Sequence, residues 1–104
     1  MKKDPEVALK VAHIFKLIKE ISPGKAVELR VPPYGVIQCG EGAVHRRGIP
    51  SNQVEMSADT LIYLATTSES WSGLKGKGQI RASGLSSDLS KLFTQISAKY
   101  QAGI

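Results

Sequence analysis

A chain of 104 residues with 41% hydrophobic and 22% charged side chains has room for one hydrophobic core and none for a separate catalytic module, so a single domain over residues 1–104 is expected. Fourteen Lys and Arg against nine Asp and Glu leave a net charge of +5, spread from Lys2 to Lys99 with tight pairs at Arg46-Arg47 and Lys75-x-Lys77. That dispersal argues against a specific nucleic-acid surface, which clusters its cations among stacking aromatics. The single Cys39 excludes an intramolecular disulfide and suits a reducing compartment. No run approaches the roughly 20 apolar residues of a transmembrane segment, and charges from Asp4 to Lys19 break any signal-peptide core, so a cytoplasmic protein is the expectation.

Asp4-Pro5-Glu6 is a helix start: Asp caps, Pro fits the first turn where its missing N–H costs nothing, and Glu favours the positive end of the dipole. Val7, Val11, Ile14, Ile18 and Ile21 carry one apolar stripe, which Leu9, Phe15 and Leu17 are expected to widen, and Ser22-Pro23-Gly24 ends the helix. From Ala26 to Val31, Val27, Leu29 and Val31 alternate with Glu28 and Arg30, the period of a half-buried strand. Pro32-Pro33 interrupts the ladder before extended structure resumes over Tyr34 to Cys39. Gly40 to Gly42 reads as a turn, His45 to Gly48 as a short return strand, and Gln53 to Met56 as the next strand of an antiparallel meander.

Ser57-Ala58-Asp59 opens a second helix, in which Leu61, Leu64 and Ala65 share a side and Thr66-Thr67-Ser68 weaken the end. Trp71 and Leu74 anchor a short turn, Gly73 to Gly78 form a flexible approach to a central strand at Gln79 to Ser83, and a last helix capped at Ser86 or Ser87 carries Leu85, Leu89, Leu92, Phe93 and Ile96. Helix, strands, helix, strand, helix makes an α+β layer in which helices cover the apolar face of a mostly antiparallel sheet.

Chemistry-bearing constellations are sparse. Gly73-Leu74-Lys75-Gly76-Lys77-Gly78 lacks the spacing of a phosphate loop and leads into a strand, where that loop needs a helix. Cys39, Glu41 and His45 match no common zinc arrangement, so no metal and no cofactor are expected. His45-Arg46-Arg47 could hold a carboxylate or phosphate head group through bidentate Arg contacts, though a solvated strand edge kept from pairing by its charges is the favoured reading. No G-x-S-x-G elbow gathers a serine with His13 or His45, and no catalytic residue is assigned. His13 flanks the first helix's stripe, where a partly covered, hydrogen-bonded imidazole is expected. Trp71 is either a core anchor or the wall of an apolar pocket.

The segment from Val27 to Leu92, and within it Arg30-Val31-Pro32-Pro33-Tyr34, Asn52-x-Val54-Glu55 and Arg81-Ala82-Ser83-Gly84 before Asp88-Leu89, resembles the bacterial, actinobacterial branch of the sterol carrier protein family. The resemblance implies a curved, mostly antiparallel five-stranded sheet with helices on one face. These enclose an apolar tunnel that takes fatty acyl chains or sterols in relatives, and the domain itself performs no catalysis. On that footing the candidate ligand-binding walls are Leu29, Ile37, Val54, Met56, Leu61, Leu64, Trp71, Ile80, Leu89 and Phe93, with the second helix and Trp71 as a lid. The expected partners are a lipid or fatty acid and, in assembly, a second copy forming a homodimer. The alternative is an interaction or oligomerisation module that keeps the fold without the cavity. An empty tunnel of about 300 Å³ costs about 7 kcal/mol at ~24 cal/mol per Å³, against a domain stability of about 5–15 kcal/mol. The interior is therefore expected to be either lipid-filled or closed on itself.

Overall fold

The computed structural model describes residues 3–42, 52–67, 71–84 and 87–101. Their elements are α1 (Pro5–Ile21), β1 (Val27–Val31), β2 (Gly35–Cys39), β3 (Asn52–Met56), α2 (Ala58–Thr66), α3 (Trp71–Gly76), β4 (Ile80–Ser83) and α4 (Ser90–Gln101).

Asp4 caps α1 as its position predicts, its Oδ1 accepting from the backbone N–H of Glu6 at 2.9 Å and of Val7 at 3.4 Å. The Asp4 N–H in turn donates to the Tyr34 hydroxyl at 3.0 Å, so the loop after β1 holds the start of the helix. Val11, Ile14, Leu17 and Ile18 are buried, but Leu9 is 74% exposed. It lies two residues before Val11 and five before Ile14, and at 3.6 residues per turn it projects from the opposite side of the helix. The stripe is narrower than its apolar count suggests.

The described strands form one sheet in the order β2-β1-β3-β4. β1 and β2 are an antiparallel hairpin around the turn at 32–34, with a cis peptide at Pro32-Pro33 and the Tyr34 N–H donating to the Val31 carbonyl at 2.8 Å. β3 and β4 are also antiparallel, whereas β3 lies parallel to β1, with Leu29 opposite Val54 and Arg30 opposite Glu55. This corrects the simple meander, because alternation reports which face of a strand is buried and not which neighbour it finds. The sheet is mixed, and among the described strands β4, expected to be central, stands at one end of the order. The fifth expected strand, at His45 to Gly48, lies outside the described residues.

One face of the sheet carries Val27, Leu29, Val31, Ile37, Cys39, Val54, Met56 and Ile80, all buried; the other carries Arg30, Gln38, Arg81 and Ser83, exposed. On the wet face the Arg30 Nε and Glu55 Oε1 are 3.9 Å apart with both side chains more than 40% exposed, a pairing that screening reduces to little. α1, α2 and α4 pack on one another, and α3 sits against β4.

Two local readings change. Trp71 to Gly76 is a short helix instead of a turn and loop, held by buried Trp71 and Leu74 one turn apart. The glycine that takes a left-handed conformation there is Gly78, at φ +76°, after the helix has ended. α4 begins at Ser90 instead of after Ser86 or Ser87: the Ser87 hydroxyl donates to the Gly84 carbonyl at 2.8 Å, while Asp88 Oδ1 accepts from the Ser90 N–H at 2.9 Å and is held below the usual carboxylate range by that bond. Ser86 and Leu85 lie outside the described residues.

Candidate functional site: an apolar layer between sheet and helices

The inner sheet face supplies a floor of Leu29, Ile37, Val54, Met56 and Ile80, which the register sets side by side: Leu29 faces Ile37 and Val54 across the two adjoining strands, and Met56 faces Ile80. Above it stand Leu61 and Leu64 of α2, Trp71 of α3, Leu89 just before α4 and Phe93 within it. All ten expected wall residues fall in one hydrophobic cluster, none more than 8% exposed. Burying side chains of this size contributes about 1.5–3 kcal/mol each relative to leaving them in water. The Trp71 and Phe93 rings are nearly parallel, 22° apart in plane with centroids at 5.9 Å, so the indole is a core side chain tying α3 to α4.

The expected set omits α1 and the middle of α4, although Ile14, Ile18 and Ile96 are fully enclosed in the same cluster. The spacing of the α1 stripe already carried the signal for Ile14 and Ile18. Their burial makes α1 part of the roof.

The surface clefts lie elsewhere. An open cleft of about 570 Å³ is lined in part by Pro32, Glu55, Met56, Asp59, Gln79 and Arg81, and another of about 540 Å³ by Lys19, Lys25, Glu28, Val36, Ile37 and Gln38. Each contains a single member of the ten, and both are edged by charged side chains that suit water better than a hydrocarbon chain.

Polar groups reaching the cluster are mostly matched inside the chain. Asn52 Nδ2 donates to the Ala26 carbonyl at 3.0 Å, the Ser57 hydroxyl to Thr60 Oγ1 at 3.1 Å, and the Ser97 hydroxyl to the Thr67 carbonyl at 2.8 Å, this last tying α4 to the end of α2. His13 is partly covered as expected but lacks the expected hydrogen bond at its Nε2. Its ring meets Tyr100 edge-on at 5.8 Å, and its Nε2 is the one buried side-chain polar atom among the described residues with no hydrogen-bond partner. Leaving such an atom unmatched costs about 1–3 kcal/mol.

Cys39 is fully buried, and burial pushes its thiol up to about 11, so at neutral pH it is a protonated, unreactive group. Glu41 is exposed, His45 with Arg46 and Arg47 lies outside the described residues, and no group of three or more His, Cys, Asp or Glu among the described residues is placed to hold a metal ion. No helix among the described residues is long and apolar enough to cross a membrane.

The sequence pattern of a family described as "Bacterial SCP ortholog" matches residues 3–94. A solved structure described as "UbiJ-SCP2 Ubiquinone synthesis protein" superposes with a TM-score of 0.56 at 14% identity, over 100% of this chain and 99% of that one, a likeness of fold. No curated protein matches the sequence. With the family pattern running from the start of α1 into α4, and the same α+β layer in the solved structure, the chain belongs to the bacterial SCP, or sterol carrier protein, orthologs.

Proposed function

We propose that this domain is a non-enzymatic carrier of an apolar small molecule, a fatty acyl chain or another lipid, held between the sheet and its helices. The observation that carries the reading is that all ten expected walls lie in one apolar cluster, a continuous layer roofed by helices, in a family of carrier orthologs. Its walls are Leu29, Ile37, Val54, Met56, Leu61, Leu64, Trp71, Ile80, Leu89 and Phe93. The unliganded state keeps these side chains against one another, because an empty tunnel of about 300 Å³ forfeits roughly half of a typical domain's stability. A chain enters by parting α2, α3 and α4 from the sheet, and its burial replaces the contacts given up.

Protein stripped of bound lipid and titrated with a fluorescent fatty acid tests the reading. Saturable uptake that a non-fluorescent fatty acid displaces is the expected result. Absence of uptake, together with no lipid in solvent extracts of the freshly purified protein, refutes it.

A further inference from the structure

We infer that His13 is the polar anchor of the ligand site: its Nε2 hydrogen-bonds the terminal oxygen of an apolar chain, so the molecules carried bear a hydroxyl or carboxyl head group. This inference rests on the carrier reading above. Buried polar atoms in folded proteins are almost always paired, and the buried polar side chains Asn52, Thr60 and Ser97 have partners within the chain. The unmatched Nε2 of His13 is the exception among the described residues.

Its position suits a head group. His13 precedes the fully enclosed Ile14 on α1 and lies against Tyr100 of α4. On α4, Phe93, Ile96 and Tyr100 follow one another at spacings of three and four, which places them along one face. That face begins at the Trp71–Phe93 stack and ends at the His13–Tyr100 contact. Seven residues of helix separate the two ends by about 10 Å. A chain laid along this face has its hydrocarbon end against the stacked rings and its head at the imidazole. His13 as a residue is only partly buried, so its buried Nε2 lies near the surface, where a polar end costs less to bury. A neutral imidazole has one N–H donor and one lone-pair acceptor, so it can donate to a carboxyl oxygen or accept from a hydroxyl.

The test compares the full chain with His13→Leu and His13→Gln for binding of dodecanoic acid, dodecan-1-ol and dodecane at one pH. The expected result is that His13→Leu lowers affinity for the acid or the alcohol, relative to dodecane, by about tenfold, the size of one hydrogen bond. His13→Gln, which keeps a donor and an acceptor, retains part of the preference. In the wild-type protein the ¹⁵N resonance of the His13 Nε2 shifts when the oxygen-bearing ligand binds, a readout that needs no variant. Without ligand, His13→Leu unfolds at or above the wild-type temperature, since it removes an unmatched polar atom. If all three probes bind with unchanged relative affinities and the Nε2 resonance stays put, the anchor is refuted while the carrier reading stands. If none of the three binds, the carrier reading fails and this inference fails with it.

Discussion

Truncating Phe93 to alanine probes the apolar layer where roof and site coincide. The ring is 3% exposed, on the fully helical part of α4, and stacked on Trp71, which is itself 6% exposed. Phe→Ala in a packed core costs about 3–5 kcal/mol, with the aromatic pair at the upper side of that range. About 4 kcal/mol is a large part of the roughly 5–15 kcal/mol of a domain and lowers the melting temperature by about 15–30 °C. Urea unfolding at fixed pH, with and without saturating dodecanoic acid, separates the two roles of the ring. Without ligand the full cost appears. With ligand the gap between variant and wild type narrows by about 1–2 kcal/mol, because the chain occupies volume that the missing ring left. The exposed Lys91→Ala on the same helix stays within about 0.5 kcal/mol of wild type and serves as control. A cost for Phe93→Ala below about 1 kcal/mol refutes the packing argument, and a gap that the ligand leaves unchanged removes Phe93 from the walls.

Gly24 has φ +140°, and a Cβ there falls 1.9 Å from the Gly40 carbonyl oxygen, so Gly24→Ala disturbs the contact in which the Ala26 N–H donates to that same oxygen. The expected loss is about 2–4 kcal/mol by thermal unfolding, whereas Gly76→Ala, with no atom within 4 Å of its added Cβ, changes stability by less than about 1 kcal/mol. Cys39 gives a pH dependence of defined sign. Its thiol titrates at 9.0 ordinarily and at about 11 when folded, so the unfolded chain loses its proton first. The stability from burying the neutral thiol is complete below pH 9 and is lost progressively from pH 9 to about 11. Cys39→Ala flattens that limb in denaturant titrations across the same range, and the wild-type thiol reacts with thiol reagents only as fast as the domain opens.

Much of this fold was legible because its local signals agree with its packing. The Asp4-Pro5-Glu6 start, the alternation of β1 and the Ser57 cap of α2 each state a local preference that the tertiary structure keeps; the Ser57 hydroxyl accepts from the Thr60 N–H at 3.1 Å. What was not legible is non-local or depends on competition between neighbours. The parallel pairing of β1 with β3 is invisible to periodicity, which specifies a face and not a partner. The α4 start moved because Ser87 turns its hydroxyl back to Gly84 and leaves the Ser90 N–H to Asp88. α3 forms through two glycines because Trp71 and Leu74 gain more from burial than Gly73 and Gly76 lose in backbone entropy. The motifs carrying the family resemblance have architectural roles here: Tyr34 receives the Asp4 N–H, Arg30 faces Glu55, and Asn52 holds the Ala26 carbonyl. The unmatched His13 Nε2 emerged only from the packing of α1 against α4.

As a carrier of the proposed kind, the domain takes one apolar chain in the layer between sheet and helices. Mass spectrometry of the intact protein under native and then denaturing conditions, on stripped protein given dodecanoic acid, counts bound ligand and subunits together. The expected result is a saturable adduct of one fatty acid per chain that survives transfer under native conditions, is lost on unfolding, and changes in affinity with Phe93→Ala or His13→Leu. An unliganded mass at every concentration, or adducts that accumulate without saturation and ignore both substitutions, contradicts it.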